Sequence, residues 1–201
     1  MRLPNDTLSE KLGVMTETEK YVRRFLKKDF DEVRASAIAG VRNGLDIYEK
    51  TLIYYYTASG YRAINQSLRR FGGHAGSRAA ILLQEVLRKL PDWRGPVFRA
   101  ANLTKSSIAV YKKCALAGSA IMETAFLSTS RSPHKIEHYP ATNVTYHIFA
   151  RHGKAIESCS RLGSVLPPNE EEVLLLPRSK FWVLDVNESS GNVLIILEEA
   201  E

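Results

Sequence analysis

Cysteine is scarce in this chain: 201 residues hold only Cys114 and Cys159, far apart and at no metal-ligand spacing. That excludes a disulfide scaffold and a cysteine-based zinc module. It leaves two free thiols in a reducing compartment, or a single bridge. Long apolar runs are missing as well. No stretch reaches the roughly 18 apolar residues that a membrane-spanning helix needs, so no membrane partner is expected. The opening MRLPNDTLSEK has no apolar stretch after its first basic residue, which predicts that there is no secretory signal peptide. Gly 12 and Pro 8 are too few for a collagen-like or low-complexity chain. Internal repeats are absent. What remains, 44% hydrophobic and 25% charged residues, suits one soluble globular domain with a real core. The chain is too short for two comfortable domains.

Charge is unevenly spread. The net charge is +6, yet residues 1–100 carry 18 basic and 11 acidic groups while residues 101–201 carry 10 and 11. The stretch from Arg62 to Arg99 has eight basic residues against Glu85 and Asp92. Such a bias suits an anionic partner: nucleic acid, a phosphorylated cofactor or an acidic protein surface. A solvated helical face explains it equally. His134 and His138 are four apart but lack a third ligand, and Pro133 and Pro140 flank them. They read as loop histidines, and no metal is expected. His147 alternates with apolar neighbours and reads as a strand-face residue.

Periodicity changes at mid-chain. Thr16 to Glu19 resembles an acidic helix start, followed by Tyr21, Val22, Phe25 and Leu26 at helical spacing. Val33 to Val41 continues in that style. Ile47 to Tyr56 reads as a buried helix stopped by the breaker Thr57-Ala58-Ser59-Gly60. Tyr61, Ile64, Leu68 and Phe71 form one stripe of the next helix, which Gly72-Gly73 ends. Ala79 to Leu90 forms another, with Ile81, Leu82, Val86 and Leu90 on its apolar side and Pro91 beyond. Then come a short strand, Pro96 to Ala100, and a helix, Thr104 to Lys113. Strands are expected at Ile121–Leu127, Val144–Ala150, Glu172–Leu176, Phe181–Val186 and Val193–Leu197, separated by loops such as Pro167-Pro168-Asn169 and Asn187 to Asn192. The expected class is α+β: N-terminal helices packed on two small, mainly antiparallel sheets.

Three polar clusters interrupt the strand patterns. Arg99 sits inside the apolar run Val97-Phe98-Arg99-Ala100, where it could also be an edge-strand arginine snorkelling to water. Ser128-Thr129-Ser130 ends an apolar strand, where hydroxyls can simply satisfy backbone groups. Glu170-Glu171-Glu172 leads into Val173-Leu174-Leu175-Leu176, and could be an acidic loop. In an extended chain Glu170 and Glu172 point to one side and Glu171 to the other. A carboxylate pair can stabilise a cation and help to remove a proton from a nucleophile.

The order of these clusters resembles the arginine–serine–glutamate signature of the arginine-specific mono-ADP-ribosyltransferases, in their toxin-like branch. Tyr54 to Arg69, YYYTASGYRAINQSLR, is similar to the family's YTGxxYxxINxxLR segment. IFARHGKAIESCS, residues 148–160, resembles the strand and turn before the family's substrate loop, and EEVLLLPRSKFWV, residues 171–183, its glutamate strand. The match spans roughly residues 45–186.

The resemblance implies an ADP-ribosyltransferase-like cleft that binds NAD as substrate, with no metal. It implies one domain over residues 1–201: a helical N-terminal extension, 1–44, and a catalytic core, 45–201. By the resemblance Arg99 anchors NAD, Glu172 faces the nicotinamide ribose, Ser128 orients Glu172, and Thr129 and Ser130 shape the same edge. Glu170 engages the incoming guanidinium. Tyr61 and Asn65, on one face of a helix, reach NAD. Ala100 stands where the family usually has glycine, which narrows the cofactor groove. Leu162 to Asn169 lacks the aromatic with which some relatives grip their targets. The implied partners are a target protein presenting an arginine and a cognate immunity or inhibitor protein, and the chain is expected to be a monomer. Without a signal peptide, injection or another non-signal route into a target-cell cytosol is implied; a cytoplasmic enzyme fits equally. An NAD glycohydrolase would use the same residues. A basic nucleic-acid module would instead use Arg62, Arg69, Arg70, Arg78 and Arg88, although no recognised nucleic-acid motif is present.

Overall fold

The computed structural model describes residues 15–74, 76–137, 142–166, 168–189 and 191–201. The opening MRLPNDTLSEK, His138, Pro140 and Pro167 lie outside these residues.

Most helices of the first half start where a side chain can accept from a free backbone N–H. Thr16 caps α1 (Glu17–Phe25), with Glu17 and Glu19 in the first turn and Arg23 and Arg24 in the last, matching the helix dipole at both ends. α2 (Lys27–Ala35) follows directly after Leu26. The run from Val33 to Val41 is not one helix. Ser36 turns extended, and its Oγ accepts from Ile38 N to start a single 3-10 turn, Ala37–Gly40. α3 (Ile47–Tyr55) opens with a full capping box between Asp46 and Glu49.

The expected breaker after α3 does not break the chain's turning. Tyr56–Gly60 form a π turn that runs straight into α4 (Tyr61–Arg70). Burial on both sides, with Tyr56 at 2% and Ile64 at 1% exposure, outweighs the local preference of Thr57 to Gly60 for a loop. Gly60 packs closely under the Tyr55 ring: a Cβ there would stand 2.5 Å from it, so the ring would have to move. Ser77 caps α5 (Arg78–Leu87).

One core cluster joins Val22, Val33 and Ile38 to Leu52, Ile64, Leu68 and Leu83. The N-terminal helices thus share a core with α3, α4 and α5. Tyr61, Phe71 and Ile81 were expected on apolar faces but are turned outward.

The second half comprises β1 (Asp92–Ala101), α6 (Lys105–Ala117), β2 (Ala120–Met122), β3 (Leu127–Ser130), α7 (Pro133–Glu137), β4 (Val144–Ala155), β5 (Glu172–Leu175), β6 (Lys180–Ser189) and β7 (Asn192–Glu199). Among the described residues these seven strands pair in the order β1-β3-β5-β4-β7-β6-β2. β1 also pairs with β4, from Asp92↔Lys154 to Ala101↔Val144, so β1, β3, β5 and β4 close a ring. The two expected sheets are therefore joined: the ladder β1-β4-β7-β6-β2 carries the pair β3–β5 between Phe98↔Ser130 and Lys154↔Leu174. All pairings are antiparallel except β4–β7. Val97, Ile148, Val173, Phe181, Ile195 and Leu197 fill a second core cluster. The class is α+β.

Two strand boundaries differ from expectation. Ile121–Leu127 is divided between β2 and β3, because Ala125 and Phe126 leave the sheet to enter the helical core. The loop read at Asn187 to Asn192 is largely strand: Ser189 pairs with Asn192, and Gly191 turns at φ 88°.

The Gly72-Gly73 stop works through two different constraints. Both residues have positive φ, 60° and 77°. Gly72 faces open space apart from the His74 ring edge, whereas a Cβ on Gly73 would stand 2.7 Å from the Thr124 carbonyl oxygen, on the segment leading into β3. Gly72→Ala should cost about 1 kcal/mol, the strain of a left-handed alanine. Gly73→Ala should cost clearly more, because backbone must move too. Urea unfolding of the two variants reads this difference directly; equal losses would remove the packing argument.

Candidate active site

The strand ring brings the three polar clusters together. β3 and β5 pair with Ser130 opposite Glu172 and Ser128 opposite Leu174. Ser128 and Ser130 share one face of β3, so Ser128 is the diagonal neighbour of Glu172. Ser128 Oγ donates to Glu172 Oε1 at 2.7 Å. Ser160, fully buried beyond β4, donates from Oγ to Glu172 Oε2 at 3.2 Å. Arg99 reaches across from β1 and donates from Nη1 to the Ser128 carbonyl at 2.7 Å. The other two hydroxyls of the run hold main chain: Thr129 Oγ1 donates to the Val173 carbonyl at 2.6 Å, and Ser130 Oγ to the Glu170 carbonyl at 2.8 Å.

Glu172 is only 6% exposed. Burial pushes its carboxyl up to about 7, with the nearby Glu170 charge acting the same way and Ser128, Ser160 and Arg99 opposing. Glu170 and Glu172 line the same cleft, but not by strand alternation. β5 begins only at Glu172, and Glu171 has a left-handed backbone with φ 50°. A kink at Glu171, rather than a continuous extended run, brings both carboxylates to one side.

The cleft has a volume of about 460 Å³. Its strand wall is Arg99, Ser128, Glu170 and Glu172; its helical wall includes Tyr61, Arg62, Asn65 and Arg69. A second hollow of about 240 Å³ shares Arg99, Ser128 and Glu170 with it and is also lined by Ala100, Thr129, Ser130 and Lys135. Tyr61 stands exposed at the cleft, its hydroxyl accepting from Arg62 Nε at 3.0 Å. Asn65 is buried and its amide ties the two walls together: Nδ2 donates to Tyr56 Oη at 3.2 Å, and Oδ1 accepts from Phe126 N at 3.1 Å.

Sequence reasoning did not single out Ser160, Tyr56 or Phe126. Tyr56 and Ser160 lie within the family-like segments 54–69 and 148–160, but neither residue type by itself signals a place in a cleft. Arg62 and Arg69 were noticed only as charge. Both line the cleft, whereas Arg78 pairs with Glu17 at 2.7 Å and Arg70 lies over Phe71. Cys114 and Cys159 are both free. Among the described residues no group of His, Cys, Asp and Glu could hold a metal ion, and no helix is long and apolar enough to cross a membrane.

Comparison with solved structures places this architecture among the bacterial ADP-ribosyltransferases. The ADP-ribosyltransferase HopU1 of Pseudomonas syringae pv. Tomato DC3000 superposes with a TM-score of 0.74 at 23% identity, over 87% of each chain. The ADP-ribosyltransferase Vis, a Vibrio splendidus toxin, solved in complex with agmatine, gives 0.64 at 21% identity, over 96% of this chain and 90% of its own. The chain has the ADP-ribosyltransferase fold. In sequence it is similar to Mav of Mycobacterium avium (strain 104), named as an NAD(+)–arginine ADP-ribosyltransferase, at 31% identity over 160 residues. Those residues are 77% of this chain, which spans only 18% of the length of Mav. No protein-family model matches the chain.

The raised carboxyl has a consequence for stability. An ordinary glutamate titrates near 4.5, and Glu172 in the folded protein near 7. Between these values the folded protein keeps a proton that the unfolded chain has released. This contribution to stability is complete below about pH 4.5 and is lost as pH rises through 7. Glu172→Gln is nearly the same shape and has no such proton to lose. Its stability relative to the unmodified protein should rise from pH 4.5 to 7, by about 3 kcal/mol at most, and then level off. Urea unfolding at several pH values measures the difference; a flat difference would mean that the carboxyl titrates normally.

Proposed function

We propose that this chain is a mono-ADP-ribosyltransferase domain that cleaves NAD and passes ADP-ribose to an arginine of a target protein. One observation carries the reading: a buried carboxylate held by two hydroxyls faces the same cleft as a second carboxylate and three arginines. The names of the relatives, NAD(+)–arginine for Mav and agmatine for Vis, support the same chemistry.

The chemistry demanded of such a site suits these residues. NAD carries a pyrophosphate, and Arg62, Arg69 and Arg99 supply positive charge along the cleft. Arg99 is pre-oriented by its bond to the Ser128 carbonyl. Tyr61 and Phe126 offer flat apolar surface to a ring. The bond from the nicotinamide nitrogen to the ribose carbon breaks, and its electron pair leaves with nicotinamide, which departs neutral. Positive charge develops on the ribose. Ionised Glu172 stabilises that charge and accepts from the ribose 2′-hydroxyl, in the orientation set by Ser128 and Ser160. A guanidine nitrogen of the target forms the new bond to the ribose carbon. That nitrogen releases a proton, which Glu170 accepts and passes to solvent. A free guanidinium stays protonated, so a carboxylate beside it is what raises its reactivity. Water in place of the guanidine gives NAD hydrolysis.

Thr129 and Ser130 hold the glutamate-bearing strand and turn to β3. Asn65 fixes the helical wall against Phe126, while Tyr61 meets the dinucleotide at the rim. Ala100 forms part of the second hollow. The proposed biological role, a toxin or effector acting in a recipient cell, follows the toxin named Vis. Residues 1–201 act in this proposal as one catalytic domain, functional as a monomer.

Two sets of measurements test the reading. Glu172→Gln should abolish both transfer to agmatine and release of nicotinamide in water. Glu170→Gln should abolish transfer and leave appreciable hydrolysis, and Glu171→Gln should be close to neutral. Retention of either activity by folded Glu172→Gln would remove Glu172 from the ribose. For Arg99, NAD should raise the melting temperature of the protein by mass action. Arg99→Ala should shrink that shift, and an unchanged shift would show that the guanidinium is no anchor for the dinucleotide.

A further inference from the structure

The turn that presents Glu170 rests on a second network, separate from the hydroxyls that hold Glu172. Arg131 follows the Ser128-Thr129-Ser130 run. Its guanidinium lies over the Trp93 ring, 4.9 Å from the centroid, and donates from Nη2 to Glu157 Oε2 at 2.6 Å. The same oxygen accepts from Asn169 Nδ2 at 3.4 Å. The other end of that amide, Asn169 Oδ1, accepts from the Glu171 N–H at 2.8 Å. The backbone N–H of Arg131 donates to the Glu171 carbonyl at 3.1 Å. Glu171 is thus gripped at both its N–H and its C=O.

That grip falls on a residue at φ 50°, a left-handed backbone which costs a glutamate energy and persists only where surroundings impose it. The left-handed residue is also what turns Glu170 towards the cleft that Glu172 faces. Glu157 supports the same segment through its main chain: its carbonyl accepts from Ser164 N at 2.9 Å, and a Cβ on Gly163 would stand 1.7 Å from that oxygen. Arg131 and Glu157 are both about three-quarters buried, with side-chain exposures of 27% and 23%. Partial burial makes the pair stiffer and less screened than a surface ion pair.

We propose that Arg131, Glu157 and Asn169 are positioning residues that fix the placement of Glu170, and so set how much ADP-ribose reaches a guanidine rather than water. This rests on the reading of Glu170 given above. The two carboxylates then have different supports: the Glu172 carboxyl, needed for bond cleavage, hangs from Ser128 and Ser160, whereas Glu170, needed only for the acceptor, has its main chain held by Ser130 and Leu162 and the turn after it by the Arg131 network. No bond of the substrate is made or broken by these three residues. They act only through the position of Glu170.

The test compares two rates on the same folded protein: formation of ADP-ribosylated agmatine, and release of nicotinamide without an acceptor. Asn169→Ala and Arg131→Gln should each lower kcat/KM for agmatine by about 10-fold, the lower end of what lost supporting contacts cost elsewhere, and leave hydrolysis within about twofold. Arg131→Lys keeps a cation beside Glu157 and over Trp93, so it should recover part of the ratio. Asn169 lies half-buried on a loop, so Asn169→Ala carries the test if Arg131→Gln does not fold. A transfer-to-hydrolysis ratio equal to that of the unmodified protein in Asn169→Ala would overturn the inference. So would a parallel loss of both rates, which marks a general disturbance of the cleft. If Glu170→Gln itself still modifies agmatine, the reading of Glu170 fails and takes this inference with it; if Glu170→Gln behaves as read and only the supporting variants are silent, the network alone is wrong.

Discussion

Burying Glu172 is the constraint around which the cleft is organised. A carboxylate with 6% exposure has lost most of its hydration and must be given donors or take up a proton. The donors come from two separate pieces of chain, Ser128 on β3 and Ser160 beyond β4. Arg99 on β1 then holds the Ser128 carbonyl. Only a ring of strands β1, β3, β5 and β4 can bring these groups to one carboxylate. Without the β1–β4 pairing, β1 would be tied to β3 by a single pair, Phe98↔Ser130. The raised carboxyl, near 7, reflects a compromise: enough donors to keep it in place, too little water to hold it firmly ionised.

The helical wall solves a different problem. It must present exposed cations to the cleft while burying its own apolar stripe. α4 does so because Ile64 and Leu68 face the core, whereas Tyr61, Arg62 and Arg69 face outward onto the cleft. The π turn before it shifts the helical phase, and π turns of this kind recur at functional sites. Asn65 then locks the phase by bonding both Tyr56 and the Phe126 backbone, whose rings pack edge-to-face in the helical core with centroids 5.4 Å apart. The charge asymmetry between the two halves of the chain acquires a physical meaning here. The basic half supplies the cations of one wall, together with Arg99, and the other half supplies the carboxylates.

The two carboxylates are built to different standards of rigidity. Glu172 begins a fully buried strand, and its side chain is bonded at both oxygens. Glu170 sits on a turn next to a left-handed Glu171, half-buried and open to the cleft. A group that stabilises charge on a bound ribose gains from fixed geometry. A group that meets an incoming side chain needs access as well as position. The shared fold of HopU1 and Vis, at 23% and 21% identity, shows that this architecture tolerates extensive change in sequence.

Much of the local structure was legible in the residues. The helix starts at Thr16 and Thr104, the 3.6-residue stripes and the short apolar runs follow from contacts within a few positions along the chain. The motif order alone places Arg99, Ser128, Glu170 and Glu172 in one family's pattern. The sequence by itself therefore determined the elements, the α+β class and a candidate set of polar residues. The tertiary structure alone decided that Tyr56–Gly60 stays helical, that the two sheets close into a ring, and that Glu171 kinks. It also decided that Ser160, Arg69 and the Arg131–Glu157–Asn169 chain belong to the cleft and its supports. The reason is physical: a backbone conformation that is unfavourable locally, such as the left-handed Glu171, is stabilised by partners such as Arg131, which lies forty positions earlier and is brought to it only by the pairing of β3 with β5.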